Sequence, residues 1–135
     1  MAVFTVAYEG DFRVRTMNTN GEPITTDAAK GYGGKGEALG PLDLLVVSLG
    51  NCAMTVMSMA AKKQTIDIKG TRIEVESALV PGPEHKIDTI TMRFNMAKGI
   101  DVSKRAMLET VAVNCPVHKN LNPQIKYKIE FTYPD

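Results

Sequence analysis

The sequence has few cysteines, no cluster of basic residues and no recognisable targeting segment near its start. Only Cys52 and Cys115 occur among 135 residues, and two thiols without a secretory leader favour redox chemistry over a structural disulfide. No run of lysine and arginine exceeds two residues, which argues against nucleic-acid binding, because that function needs clustered positive charge. Two cysteines and two histidines are too few for a zinc site unless carboxylates also take part, so we expect no metal.

The first ten residues contain neither a basic stretch nor a long apolar stretch, so we expect a cytoplasmic protein. One uncharged segment runs from Leu44 to Ala61, and its 18 residues reach the lower limit for a membrane-spanning helix. The segment contains Ser48, Asn51 and Thr55, and a helix that is apolar all round can equally lie in the centre of a fold. We therefore expect a buried helix and no membrane partner.

Alternation of apolar and polar side chains, typical of β-strands, recurs along the chain. It occurs in or near residues 4–8, 12–16, 23–26, 66–80, 90–96 and 125–133. Asn20-Gly21 marks a turn. We expect the glycine-rich segment 31–36 to be a flexible loop, because it lacks the Gly-Lys-Ser/Thr sequence that a phosphate-binding loop needs.

Helical spacing appears in two segments. The first helix is predicted to begin at Pro41, a residue suited to the first helical position, and to end near Lys63. Its apolar stripe is expected to comprise Leu42, Leu45, Leu49, Cys52, Val56 and Met59. The second helix is predicted over about 102–113 with Asp101 as its cap. Cys115 lies beyond it, because the residue before a proline is disfavoured in helical geometry, and a short turn follows at 117–121.

The order of these elements predicts one α+β domain over residues 1–135, with antiparallel sheets around a central apolar helix. A chain of this length has little material to cover such a helix on every side. We therefore expect an intertwined homodimer.

Two motifs carry a family resemblance. Gly40-Pro41-Leu42-Asp43-Leu44-Leu45 leading to Leu49-Gly50-Asn51-Cys52, followed downstream by Cys115-Pro116-Val117-His118-Lys119-Asn120-Leu121, resembles the OsmC/Ohr family of osmotically induced and organic hydroperoxide resistance proteins. The resemblance implies a dimer with two six-stranded sheets built from both chains. It also implies a thiol-dependent peroxidase without metal, flavin or other cofactor.

By the same resemblance, Cys52 attacks the peroxide and becomes a sulfenic acid, and Cys115 condenses with it to a disulfide that a small dithiol reduces. We expect organic hydroperoxides as substrates, because apolar residues surround Cys52. A second thiol near the first also protects a sulfenic acid from further oxidation. We further expect the start of a helical turn at Pro116 to lower the pKa of Cys115.

A cation is needed beside Cys52, because the dipole of a helix acts only near its ends. The resemblance implies an arginine from an N-terminal strand, held by a carboxylate at the start of the first helix. Arg13 and Arg15 both fit, with a slight preference for Arg15. The carboxylate candidate is Asp43, one residue after the position, here Leu42, where the family most often carries glutamate. Alternatively, Asp43 only stabilises the positive helix start.

Less specific interpretations apply to the same residues. A buried free cysteine is commonly inert, so Cys52 and Cys115 are also candidates for core residues. The protein is then a non-catalytic dimer that binds a small apolar ligand. Methionines such as Met54 line such a pocket or fill the core. His118 is expected at the surface, although it is close enough in sequence to influence Cys115.

Overall fold

A computed structural model describes residues 3–18 and 20–134 of the chain. The chain divides into two compact units, residues 1–45 and 46–135, and the boundary falls inside the long helix predicted from Pro41. The prediction of a single domain over residues 1–135 stays a prediction.

The first unit contains a three-stranded antiparallel sheet. Its strands β1 (Thr5–Gly10), β2 (Arg13–Met17) and β3 (Ile24–Asp27) follow one another in the order β1-β2-β3. The alternating segments therefore form strands as predicted, except that Phe12 lies in the β1–β2 turn with a φ of 63°. A bend at residues 20–21 lies between β2 and β3, as the Asn-Gly pair predicts.

The glycine-rich segment forms defined turns and backbone hydrogen bonds. A 3-10 turn at Lys30–Tyr32 opens it, and the chain then returns to pair Leu39 with Thr26. The N–H of Gly36 donates to the carbonyl of Ala28 at 3.2 Å. These backbone bonds and the carboxylate of Asp27, described below, connect the segment to β3, and its flexibility stays a prediction.

Helix α1 spans Pro41–Lys63, as predicted. The Asp43 carboxylate accepts a hydrogen bond from Gly40 N–H at 3.3 Å, and Lys62 and Lys63 occupy the last turn, where the helix dipole favours cations. By length and composition α1 passes the test for a membrane-spanning helix, a test that the core helix of a globular protein also passes.

The second unit contains a sheet of mixed direction. Strands β4 (Arg72–Leu79) and β5 (Ile87–Asn95) are antiparallel, and β6 (Lys126–Thr132) runs parallel to β5 in the order β4-β5-β6. Between β5 and β6 lie α2 (Val102–Val113) and α3 (Pro116–Asn120), the crossover that a parallel pair requires. The α+β class with antiparallel-rich sheets is thus confirmed, whereas the parallel direction of β6 was not specified by the sequence.

The core of the second unit lies where α1, β5 and α2 meet. Its buried members include Leu49, Ala53 and Met57 of α1, Ile90, Met92 and Phe94 of β5, Leu108 and Ala112 of α2, and Cys115. Gly50 brings α1 close to β4, since a Cβ atom there would lie 2.7 Å from Cγ2 of Val75. The predicted apolar stripe of α1 is rotated from the buried face, because Leu45 and Met59 are exposed and Val46, Gly50, Ala53 and Ala61 are buried.

Candidate active site

The second unit brings its two cysteines together. Cys52 lies in the middle of α1 and is half-buried, whereas Cys115 is fully buried just before α3. Their side chains lie close enough to interact, because Cys52 is one of the causes that raise the pKa of Cys115, and both are free thiols. Although 115 − 52 = 63 positions separate them in sequence, oxidation of either sulfur would therefore take place beside a second thiol.

Pro116 places Cys115 at the start of α3. A proline disfavours helical geometry in the preceding residue, and Cys115 accordingly has an extended backbone with φ −76° and ψ 157°. Pro116 itself occupies the first turn of α3, where it needs no hydrogen-bond partner for its nitrogen. The carbonyl of Cys115 accepts the N–H of Lys119 at 3.2 Å, so Cys115 is the residue from which α3 begins.

The surroundings of Cys115 disfavour its charged form. Burial raises the pKa of Cys115, and its contact with Cys52 raises it further, while the backbone N–H groups of His118 and Val117 lower it. The effects that raise the pKa of Cys115 outweigh the effects that lower it. The expectation of a lowered pKa at the start of α3 is therefore wrong, because the short helix offers two N–H groups to a sulfur that has lost its contact with water.

His118 and Tyr127 form a ring contact next to Cys115. The ring of His118 meets the ring of Tyr127 edge to face, with centroids 4.5 Å apart, and Nδ1 of His118 donates to the carbonyl of Val113. Burial and the neighbouring Cys115 raise the pKa of Tyr127. The expectation of a surface histidine is wrong, since His118 is half-buried. Tyr127 was not predicted, and only its apolar alternation in β6 marked it as facing inward.

In the first unit, Arg13 is bound by two carboxylates that the sequence did not indicate. Its guanidinium lies 3.4 Å from Oδ2 of Asp27, directly across the β2–β3 pair, and 3.1 Å from Oε1 of Glu37. Asp27 is buried, and its Oδ2 also accepts the N–H of Glu37 at 3.1 Å. Its other oxygen, Oδ1, has no hydrogen-bond partner among the described residues.

The hydrogen bonds of Asp27 stabilise its charged form. Donation by the backbone N–H of Glu37, helped by Arg13 and by the N–H of Lys35, lowers the pKa of Asp27 although burial opposes this. Asp27 thus joins the β-sheet to the glycine-rich segment and to Arg13. Strand register and loop closure place these groups together, and neither can be read from residue spacing alone.

The two remaining predicted site residues, Arg15 and Asp43, also lie in the first unit. Arg15 follows Arg13 on the same face of β2 and is exposed, and it forms no ion pair within residues 3–18 and 20–134. Asp43 binds the Gly40 amide at the start of α1, which agrees with its interpretation as a helix-start residue. The carboxylates beside Arg13 are those of Asp27 and Glu37.

An open cleft lies beside α1 in the second unit. It has a volume of about 650 Å³ and is lined by Met54, Ser58 and Lys62 of α1 and by the segment 65–71. A smaller cleft of about 310 Å³ lies between α1 and β4, and Met54 lines both clefts.

In the part of the chain that the structure describes, no group of three or more histidine, cysteine or carboxylate side chains is arranged to bind a metal.

Comparison with known proteins gives one family. The family model described as OsmC-like protein matches residues 34–130, which include α1 and both cysteines. A protein ascribed to the osmotic stress and detoxification response of Psychrobacter arcticus 273-4 is similar in structure, with 31% identity, a TM-score of 0.91, and coverage of 98% of this chain and 96% of that chain. No functionally curated protein matches the chain.

Two further solved structures share the fold at lower identity. An organic hydroperoxide resistance protein from Legionella pneumophila has a TM-score of 0.73 at 17% identity, covering 98% of this chain and 96% of that one. Another organic hydroperoxide resistance protein, from Elizabethkingia anophelis, has a TM-score of 0.73 at 16% identity with the same coverage. The matched region and the agreement in fold show that this chain belongs to the OsmC-like protein family.

Proposed function

We propose that this protein is a thiol-dependent peroxidase that reduces organic hydroperoxides through Cys52 and Cys115. The observation that carries the proposal is the proximity of these two free thiols, one half-buried in α1 and the other fully buried just before α3. The half-buried Cys52 is open to a substrate, and the buried Cys115 is not. A role in the response to peroxide stress agrees with the organic hydroperoxide resistance proteins that share the fold.

The proposed reaction has three steps. The thiolate of Cys52 attacks the O–O bond of the hydroperoxide and takes its terminal OH group to become a sulfenic acid, while the departing alkoxide takes up a proton from solvent and leaves as an alcohol. The Cys115 sulfur then displaces the sulfenic oxygen, so that an S–S bond forms and water leaves with the thiol proton. A small dithiol reduces this disulfide by two exchange steps, is itself oxidised to a disulfide, and returns both cysteines to thiols.

An arginine supplies the positive charge that favours the Cys52 thiolate. Arg15 is our first candidate and Arg13 the second, because the guanidinium of Arg13 already binds Asp27 and Glu37. We expect Arg15→Met to slow peroxide reduction by about tenfold or more, since a nearby opposite charge favours ionisation of a thiol. If Arg13→Met alone has this effect, the assignment passes to Arg13, and if neither variant slows the reaction, no arginine of β2 serves.

Thiol titration tests the peroxidase proposal. Without oxygen, one equivalent of cumene hydroperoxide is expected to remove both free thiols from the native chain. Cys52→Ser is expected to consume no peroxide. Cys115→Ser is expected to complete one turnover and to stop at a sulfenic or sulfinic acid, because no second thiol is then in contact with Cys52. Survival of both thiols in the native chain after the peroxide treatment would refute the proposal.

The second candidate function is the binding of a small apolar ligand. The open cleft beside α1 favours it, because Met54, Ile66 and Ile68 give the cleft an apolar part and neither cysteine is among its described lining residues. Met54→Lys separates the two functions. It is expected to weaken the uptake of an apolar fluorescent probe if the cleft is the functional site, and to leave the oxidation of Cys52 by peroxide unaltered if the thiol pair is.

We also propose a homodimer acting in the cytoplasm, with a small dithiol as its reductant. The exposed apolar side chains of Phe4, Val6 and Tyr8 in the first unit support an interface between copies, because large exposed apolar patches are uncommon on monomers. A reducing compartment supports the dithiol step, since it keeps both cysteines reduced between turnovers.

A further inference from the structure

The buried thiol of Cys115 depends on a very short helix. Helix α3 comprises only Pro116–Asn120, and isolated helices of this length are not stable in water. Yet the N–H groups of Val117 and His118, both in this helix, are the donors that favour the charged form of the Cys115 sulfur. A group that holds α3 in place therefore also fixes the position of these two donors relative to the Cys115 sulfur.

The ring of His118 contacts the elements on either side of α3. Its Nδ1 donates to the carbonyl of Val113, the last residue of α2, which satisfies one of the carbonyls that a helix end leaves without a partner. Its ring packs edge to face on Tyr127 of β6, with centroids 4.5 Å apart. One side chain thus ties α3 to the preceding helix and to the sheet beneath it.

We propose that His118 is the positioning residue for Cys115, fixing α3 so that its backbone N–H groups and the Cys115 sulfur stay aligned with Cys52. This role of His118 rests on the proposed function, because it serves the step in which Cys115 reacts with the oxidised Cys52. The contacts of His118 concern Cys115 and α3 whether or not that function is correct. His118 does not touch the peroxide in this role. It acts through the backbone of α3, which it holds in place by its ring contact with Tyr127 and its hydrogen bond to the carbonyl of Val113.

The first test removes the peroxide reaction altogether. In the Cys52→Ser chain, Cys115 is the one remaining thiol, and its ionisation is followed by the ultraviolet absorbance of the thiolate as a function of pH. We expect His118→Ala to raise the midpoint by about one pH unit, because the two N–H donors lose their alignment. His118→Asn, which can still donate to the Val113 carbonyl, is expected to recover part of the shift. Lys119→Ala, an exposed change in the same helix, is the matched control and is expected to have no effect.

The second test uses the chain with both cysteines and a thiol-specific oxidant, diamide. We expect His118→Ala to form the Cys52–Cys115 disulfide about tenfold more slowly, in proportion to the smaller thiolate fraction. If His118→Ala fails to fold, Tyr127→Leu, which removes the ring contact from the other side, is expected to give the same two changes.

An unchanged midpoint and an unchanged diamide rate in folded His118→Ala or Tyr127→Leu would overturn the inference. Failure of the proposed function is recognised separately: the diamide and titration results then stand as expected, while cumene hydroperoxide leaves both thiols free.

Discussion

Asp27 is the residue whose surroundings differ most from what its sequence position indicates. It ends a short strand, but its buried carboxylate binds Arg13 across the sheet and the backbone N–H of Glu37 in the glycine-rich segment. Asp43, which the family resemblance places beside an arginine, binds the amide of Gly40, and its role beside an arginine stays a prediction. Substituting each aspartate in turn therefore compares two contributions to stability: the attachment of the glycine-rich segment by Asp27, and the hydrogen bond of Asp43 at the start of α1.

We predict that Asp27→Asn lowers the Tm by several degrees more than Asp43→Asn does, because an amide loses the ion pair and accepts hydrogen bonds less strongly than a carboxylate. The pH dependence should also differ. The hydrogen bond from Glu37 N–H lowers the pKa of Asp27 below 3.8, so this stabilisation is present above that pH and is lost as the pH falls through the folded-state pKa. Thermal unfolding between neutral and acid pH measures both effects.

In that experiment, Asp27→Asn should lose less stability on acidification than the native chain does. An equal acid dependence in the two proteins would mean that the Asp27 carboxylate contributes nothing to the stability of the folded chain.

The site could be predicted in part from single residues. Cys52 and Cys115 were predicted as a pair, because each stands in a short motif and the motifs occur together. Asp27 and Tyr127 were not, because their roles depend on strand register and on the packing of β6. The direction of the Cys115 pKa was also missed, since the proline and the short helix are visible in sequence whereas the complete burial of the sulfur is not.

At the scale of elements, α1 shows what an apolar sequence specifies and what it leaves open. Its ends were predicted at Pro41 and Lys63, because proline and lysine mark helix ends. Its buried face was not, because large apolar residues occur all round the helix. Small residues such as Gly50 decide the rotation, since they allow α1 to approach β4 closely enough for a Cβ atom to meet Val75 at 2.7 Å.

We predict that Gly50→Ala destabilises the protein by about 1 kcal/mol, because overpacking by a methyl group costs about 1–3 kcal/mol and the better helix propensity of alanine returns about 1 kcal/mol. Urea unfolding measures the change. In a Val75→Ala background the same substitution should be neutral or stabilising, because the side chain it meets has been shortened. An equal loss in both backgrounds would show that contact with Val75 is not the cause.

At the scale of the whole molecule, exposed apolar residues are concentrated in the first unit. On β1 and the residue before it, Phe4, Val6 and Tyr8 are exposed by 57%, 67% and 68%. They alternate with Thr5 and Ala7 and therefore share one face of the strand. The fold class could be predicted from the order of the elements alone. The parallel pairing of β6 with β5 could not, because the alternating pattern of a strand does not show in which direction the strand runs.

We predict that the native chain sediments as a dimer and that Val6→Lys shifts it toward the monomer, because a charge would be buried at the interface we propose. Thr5→Lys, on the opposite face of β1, is the control and should leave the dimer in place. Sedimentation equilibrium over a range of protein concentrations measures the change. A native chain that stays monomeric throughout, or a dimer equally tolerant of both lysines, would contradict this prediction.

The contact between the two sulfurs has a consequence for the timing of their reactions. Negative charge on Cys52 is one of the causes that raise the pKa of Cys115. A protonated sulfenic acid at Cys52 carries no such charge, so conversion of a Cys52 thiolate to that acid removes this cause while the two N–H donors of α3 remain. In the peroxidase that we propose, oxidation of Cys52 would therefore favour ionisation of Cys115, the thiol that completes the cycle.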